Sequence, residues 1–217
     1  MGVLMVLSSI TLFASYSYLS AGIASTLLFF YPVMVSLIMA FLYKERLGWR
    51  KTLCLIMAFM GVATLSKGDD GTGISSWGFL LVMLSSLSYA LYLVYINRGP
   101  MKHLSSSAVT FYVMFIGFLV LAGNSILSGH LYLPNHTESW LNILGLGLFP
   151  TLLSLWCTSR AISLIGSTQT AIFGALEPLT AVVLGILILG ETLTLMPALG
   201  MLLIFVSVTV LVMQKKQ

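Results

Sequence analysis

The residue with the most evident chemical potential is Glu177, which is followed by Pro178 within the apolar stretch FGALEPLTAVVLGILILGE. An ionised carboxyl group is costly in the hydrocarbon core, so it is expected to face protein or a water-filled cavity, or to be protonated. Pro178 cannot donate a backbone N–H to the carbonyl oxygen of Gly174, so the helix is expected to kink there. We predict that Glu177 and Pro178 belong to a substrate or proton site. A structural carboxyl bonded to neighbouring helices is the alternative.

Other candidate cavity residues are small, hydroxyl-bearing or aromatic residues at helical spacing. Thr170 and Gly174 share the helical face of Glu177. Tyr31 stands directly before Pro32, in the place that an acid takes before the later proline. Packed aromatic rings and hydrogen bonds between helices are the alternative roles for these side chains. The full set of candidates is Glu177, Thr170, Gly174, Pro178, Tyr31, Pro32, Ser85, Tyr89, Tyr92 and Trp156.

The sequence contains no arrangement typical of catalysis or metal binding. The three histidines are scattered in or near loops, and there is no HExxH motif and no nucleophile with an evident base. Cys54 and Cys157 lie inside apolar segments, where a thiol serves as a small filler. We therefore expect neither an enzyme nor a protein that holds a metal or cofactor.

The elements that position the candidates are predicted to be membrane-spanning helices. Of the 217 residues, 59% are hydrophobic and 7% are charged, whereas a soluble domain has roughly a quarter charged residues. A helix needs about 20 residues to cross the hydrocarbon core. Division at Gly, Pro and charged interruptions gives eight spans, at 3–19, 22–42, 48–66, 75–97, 105–127, 140–164, 167–189 and 194–213. We thus predict an all-α, polytopic transmembrane helix bundle in contact with the lipid bilayer.

The basic residues predict how the bundle is oriented. With both termini in the cytoplasm, nine of the ten Lys and Arg residues lie on the inner side and only Lys67 lies outside. Positive residues resist translocation, so this orientation in a plasma or bacterial inner membrane is the expected one. The net charge of +4 is explained in the same way and does not indicate nucleic-acid binding.

The chain also contains an internal repeat. The segment YPVMVSLIMAFLYKE, residues 31–45, aligns without a gap on EPLTAVVLGILILGE, residues 177–191. Pro32 falls on Pro178 and Glu45 on Glu191, both at an offset of 146 positions. The copies lie five predicted helices apart, so the second crosses the membrane in the opposite sense. Inverted repeats of this kind are typical of secondary transporters, with the substrate site near the midplane between the halves.

The repeat defines the predicted domains. Residues 1–66 hold three helices of the first copy, residues 67–74 form an outer linker, and residues 75–217 hold five helices of the second copy. A full duplication would contain ten helices, so two helices of the first copy are absent from this chain. A fragment, a truncated remnant and a protein that completes its bundle by association are the alternatives.

These segments resemble the EamA-like family of the drug/metabolite transporter superfamily. The resemblance rests on IGSTQTAIFGALEPLTAVVLGILILGETLTLMPALGMLLIFVSV and, more loosely, on SAGIASTLLFFYPVMVSLIMAFLYKERL. Both show a small-residue helix start, a proline and a glutamate that closes the span. The resemblance implies a bundle of two inverted five-helix repeats around a central cavity.

The function implied is secondary transport by alternating access. The expected substrates are small amphipathic metabolites such as amino acids or related compounds, moved outward, with possible coupling to protons through Glu177. The alternative is a truncated, non-transporting remnant or a membrane assembly protein, and a homo-oligomer is compatible with either function.

Overall fold

The chain folds mainly into helices in the part that the computed structural model describes. That part comprises residues 1–19, 24, 27–45, 48–65, 75–127, 129, 136–174, 176–177, 180, 183–184, 187 and 195–212. No β-strand occurs among these residues, which confirms the predicted all-α class. The helices are α1 (Gly2–Ser15), α2 (Tyr31–Tyr43), α3 (Trp49–Leu65), α4 (Ser76–Arg98), α5 (Ser106–Leu127), α6 (Thr137–Ile165), α7 (Ser167–Phe173) and α8 (Leu195–Val212).

Three of these helices are long and apolar enough to cross a membrane, namely α4, α5 and α6. The helices α1 and α2 are apolar but shorter. The predicted span at 22–42 differs from the structure, because a turn at 29–30 precedes α2 and Pro32 lies in its first turn. Proline suits the first turn of a helix, where the missing N–H has no intrahelical partner. The proline therefore helps to begin this helix and does not kink its middle.

The helix α4 lies at the centre of the bundle. It packs against α1 and α2 and also contacts α6 and α7. Half of the residues in its most apolar 18-residue stretch are buried. The largest hydrophobic cluster joins α4 to four neighbouring helices through side chains such as Tyr31, Leu93, Val113 and Ile162. Side chains on α4 can therefore contact both repeats.

The helices α3 and α8 form a closely packed pair. The Ser207 hydroxyl on α8 donates to the backbone carbonyl of Cys54 on α3 over 2.7 Å. A Cβ at Gly61 would come within 2.8 Å of the Gly200 carbonyl oxygen, closer than ordinary contact. Small residues that allow such a close approach are the usual basis of helix packing in membranes.

The helix α6 is irregular and largely exposed. Residues Gly147–Leu153, which include Pro150, form a π-helical stretch in its middle. Proline removes one backbone donor, and a local widening of the turn is a common adjustment to that loss. Only 6% of the residues in the most apolar 18-residue stretch of α6 are buried.

Candidate functional site

The start of α2 and the turn that ends α7 meet at Tyr31 and Gly174. The Tyr31 hydroxyl donates to the backbone carbonyl of Ala171 on α7 over 3.4 Å. It also lies directly against Gly174, where a Cβ would collide with the hydroxyl oxygen. Glycine is therefore required at 174 for the tyrosine to occupy this position. The contact brings together two residues that the sequence predicted separately.

The predicted tyrosines form a cluster around this contact. The rings of Tyr31 and Tyr89 meet edge to face, with centroids 4.9 Å apart and planes at 82°. Tyr89 stacks in turn on Tyr92 at 5.9 Å. Tyr31 and Tyr92 are buried, whereas Tyr89 is partly exposed. Edge-to-face and offset-stacked arrangements are the favourable geometries for such rings.

Glu177 lies beside the tyrosine cluster with its side chain exposed. Its backbone N–H donates to the carbonyl of Gly174 over 3.0 Å, and Gly174 is the residue that the Tyr31 hydroxyl contacts. Tyr31 and Glu177 occupy equivalent positions in the sequence repeat, one before each proline. The structure therefore places the two equivalent positions next to each other.

The backbone near each proline is arranged differently in the two copies. Pro32 has no N–H for the carbonyl of Leu28, and the Ser86 hydroxyl on α4 donates to that oxygen over 3.1 Å. In the second copy the corresponding carbonyl belongs to Gly174, and the backbone N–H of Glu177 donates to it over 3.0 Å. The predicted freed oxygen at Gly174 thus has a partner, because the chain tightens into a shorter turn. Pro178 itself lies outside the described residues.

Thr170 lies on α7, one turn before Gly174, and is partly buried. Its hydroxyl donates to the backbone carbonyl of Gly166 over 2.8 Å. A hydroxyl that donates within its own helix keeps its lone pairs available as acceptors. Thr170 can therefore accept a hydrogen bond in the site but does not have its proton free to donate.

Two of the predicted residues make their polar contacts elsewhere in the bundle. The Ser85 hydroxyl donates over 2.7 Å to the carbonyl of Ser8, and thereby joins α4 to α1. The Trp156 indole N–H donates to the Ser107 hydroxyl on α5 over 3.2 Å. Trp156 also borders an apolar groove of about 530 Å³ that is lined by Phe111 and neighbouring side chains. The described contacts of these two residues are those of helix packing.

The sequence did not single out Ser86 or Thr168. Ser86 is buried against the turn before Pro32, and nothing in the local sequence distinguishes it from Ser85. Among the described residues, the Thr168 hydroxyl is the one buried side-chain polar atom without a hydrogen-bond partner. Its place in the run STQT at the start of a predicted helix was the available signal.

A polar cavity of about 200 Å³ lies at the ends of α4 and α6, near the start of α5. Asn97, His103 and Ser159 are among its lining residues. The Asn97 amide donates to the Ser167 hydroxyl over 3.0 Å, so α4 is tied to α7 beside this cavity. Among the described residues, no group of three or more His, Cys, Asp or Glu side chains forms a metal site.

Comparison with known proteins identifies the relatives of the chain. The sequence pattern of the EamA-like transporter family matches residues 1–67 and 76–213. A protein described as the uncharacterized transporter YdfC of Bacillus subtilis (strain 168) is 26% identical over 189 residues, which cover 83% of this chain and 59% of that protein. An uncharacterized transporter of Synechocystis, sll1319, is 31% identical over 222 residues, covering 99% of this chain and 65% of the relative.

An archaeal relative and a solved structure agree with this result. An uncharacterized transporter of Archaeoglobus fulgidus is 24% identical over 205 residues, and the chain spans 70% of its length. A solved crystal structure superposes with a TM-score of 0.82 at 16% identity, covering 95% of this chain and 73% of that one. At that identity the similarity shows the fold alone. The chain spans between 59% and 70% of the length of the three sequence relatives named here.

Proposed function

Because the chain belongs to the EamA-like transporter family, we propose that it is a secondary transporter that works by alternating access. Its proposed substrates are small amphipathic metabolites such as amino acids or related compounds, carried outward. The observation that carries the proposal is the proximity of Tyr31 and Glu177, the two equivalent positions of the repeat: Tyr31 contacts Gly174, whose carbonyl accepts the backbone N–H of Glu177. Membership of the family supports a membrane transporter, and the substrate, direction and mechanism are added here as the proposal.

The proximity of Tyr31 and Glu177 matters because a pseudo-twofold axis relates the two copies of an inverted repeat. Equivalent residues of two copies come together only near the pseudo-twofold axis that relates the copies. In transporters built this way, the substrate site lies near that axis at mid-membrane. Tyr31 contributes a hydroxyl and an aromatic ring there, and Glu177 contributes a carboxylate. The two faces of the proposed site therefore differ in chemistry.

The repeat and the charges supply the rest of the proposal. Residues 1–66 and 75–217 form the two inverted units, joined by residues 67–74 on the outer side. The protein lies in the plasma or bacterial inner membrane with both termini in the cytoplasm, as the positive residues favour. Protons couple to transport through Glu177, because an intramembrane acid can bind and release a proton between the two access states.

Counterflow in proteoliposomes tests the transport proposal. Vesicles containing the purified chain are preloaded with unlabelled phenylalanine or phenethylamine and diluted into the labelled compound. A carrier that alternates between two sides exchanges the labelled for the unlabelled molecule, so label accumulates transiently above its equilibrium level. Vesicles without protein give the baseline. Absence of transient accumulation with both compounds would contradict the proposed function.

A second candidate function is assembly with other membrane helices, and the exposure of α6 favours it. In the most apolar 18-residue stretch of α6, 6% of the residues are buried, compared with 50% in that of α4. Its exposed side chains include Leu141, Leu144 and Phe149. Native mass spectrometry from a mild detergent tests this candidate. A defined homo-oligomer without counterflow supports assembly, whereas a monomer that performs counterflow excludes it as the main function.

A further inference from the structure

The polar cavity of about 200 Å³ at the ends of α4 and α6 is separate from the proposed transport site. Among the described residues that line it, none belongs to the candidate transport residues. Asn97 lies on its wall, two turns along α4 beyond Tyr89, which corresponds to about 12 Å. A molecule in this cavity is therefore recognised by a different set of side chains.

Ser159 presents an unused hydroxyl to this cavity. The residue is 2% exposed and lines the cavity from α6. In the described part of the chain its hydroxyl takes part in no hydrogen bond, whereas the Ser163 hydroxyl one turn later donates to the Arg160 carbonyl over 2.7 Å. A buried hydroxyl without a partner costs free energy unless a bound molecule supplies one. The Ser159 hydroxyl therefore indicates that the cavity holds a hydrogen-bonding molecule.

The start of α5 adds backbone donors to the same cavity. Ser106, the first residue of α5, is one of the lining residues. The first turn of a helix leaves four N–H groups without an intrahelical acceptor. One of them is used at α5, because the Ala108 N–H donates to the Ser105 hydroxyl over 3.3 Å. The positive end of the α5 dipole thus borders the cavity, together with the amides that remain.

The charges around the cavity favour an anion. None of its described lining residues is acidic, and His103 adds an imidazole, which donates through a ring N–H. Arg98 follows Asn97 in the chain and brings a positive charge to the same end of α4. The acid near this end, Glu45, is paired with Lys51 over 3.2 Å. An anion in the cavity therefore meets donors and positive charge without a competing carboxylate.

The donors come from three helices, an arrangement that suits a tetrahedral oxyanion. One N–H of the Asn97 amide donates to the Ser167 hydroxyl over 3.0 Å, and the amide carries a second. This amide on α4, the Ser159 hydroxyl on α6 and the start of α5 border the cavity from different sides. A phosphate group has enough oxygens to accept from all three, and phosphates bind readily at helix N-termini. The volume equals that of about six waters, which is enough for a phosphate group with some of its hydration.

We propose that this cavity is a binding site for a phosphate group, which is held by Ser159, Asn97 and the start of α5. The same chemistry is offered by free phosphate and by the headgroup of an anionic phospholipid, since pockets between the ends of membrane helices bind such headgroups. The site is additional to the proposed transport site and does not depend on it.

Three probes test the site on the unaltered full chain by isothermal titration calorimetry in detergent, at neutral pH and constant ionic strength. They are inorganic phosphate, dihexanoyl phosphatidic acid and dihexanoyl phosphatidylcholine, of which the two lipids share their acyl chains. We expect saturable binding of inorganic phosphate, of phosphatidic acid or of both, at least about tenfold tighter than that of phosphatidylcholine.

The order of the affinities identifies the source of the phosphate group. Phosphatidic acid that binds at least about tenfold more tightly than inorganic phosphate supports a lipid headgroup, and any other order supports a free phosphate. Absence of saturable binding of both would overturn the proposal. Equal binding of the two lipids without binding of inorganic phosphate would also overturn it, because the acyl chains alone would then explain the result.

Variants assign the binding to the named residues. Ser159→Ala should weaken it by about tenfold, because a hydrogen bond to a charged group is lost. Asn97→Asp should abolish it through charge repulsion, while its carboxylate can still accept a hydrogen bond from the Ser167 hydroxyl. Ser163→Ala is the matched control, since this hydroxyl lines the same cavity but donates to the Arg160 carbonyl. Its affinity should stay within about twofold of wild type, and equal losses in Ser159→Ala and Ser163→Ala would overturn the proposed site.

Discussion

The turns before Pro32 and Pro178 are equivalent in sequence but are stabilised differently. In the first copy, the carbonyl of Leu28 is bonded by the Ser86 hydroxyl of α4, so the turn is tied to the central helix. In the second copy, the carbonyl of Gly174 is bonded by the backbone N–H of Glu177 in the same chain segment. The second turn closes on itself, and its acidic side chain is left exposed.

This difference distinguishes the residues that shape the helices from those that could interact with a ligand. The prolines and the glutamates at 45 and 191 are common to both copies, as expected of residues that shape helices. At two positions of the candidate site the second copy is the more polar: Thr170 stands in place of Ala24, and Glu177 in place of Tyr31. We propose that the first copy supplies a fixed aromatic wall and that the second supplies the group that binds.

The largest effect is expected when the contact between the two copies is obstructed. In Gly174→Ala the new Cβ collides with the Tyr31 hydroxyl, and forcing atoms into a filled site costs about 1–3 kcal/mol. Thermal unfolding in detergent should show a clear loss of stability, and counterflow should fall. Adding Tyr31→Phe removes the colliding oxygen and should restore most of the stability.

A matched control distinguishes this collision from a general effect of alanine. A Cβ at Gly123 on α5 meets no atom within 4 Å, so Gly123→Ala should leave stability unchanged or raise it slightly through better helix propensity. If Gly174→Ala is equally harmless, Tyr31 and Gly174 are not in the contact described.

A smaller effect is expected from the tie between α4 and the first turn. Ser86→Ala removes the donor to the Leu28 carbonyl, and a buried acceptor left without a partner costs about 1–3 kcal/mol. The unfolding temperature in detergent should fall. Ser9→Ala is the control, since the Ser9 hydroxyl bonds only within its own helix, to Met5. Equal effects of the two substitutions would contradict a special role for Ser86.

Part of the fold and of the candidate site was predictable from the sequence. The composition predicted the helical membrane class. The repeat predicted that Tyr31 and Glu177 are equivalent, because the spacing of residues along one chain can be read directly from its sequence. The partners of Ser85, Ser86 and Trp156 were not predictable, because they depend on the rotation of one helix against another. Neighbouring serines on α4 face different helices, and no local pattern reveals which one lies opposite a free carbonyl.

The smallest predicted effect concerns the hydroxyl groups of α7. The buried Thr168 hydroxyl has no partner in the described structure, so Thr168→Val, which keeps the shape, should stabilise the protein by about 1 kcal/mol. Thr170→Val removes a hydroxyl that is bonded to Gly166 and should be neutral or slightly destabilising. Thermal unfolding of the two variants side by side measures the difference. A loss of stability in Thr168→Val would show that its hydroxyl has a partner in solution.

The pH dependence of phenethylamine counterflow in wild type and Glu177→Gln tests the central claim, that the exposed acid of the second copy is the functional group. The amide cannot ionise, so the variant should insert into the membrane normally and show either greatly reduced counterflow or counterflow that no longer varies with pH. Glu45→Gln should retain the wild-type profile. Counterflow of Glu177→Gln that equals wild type at every pH would contradict the account.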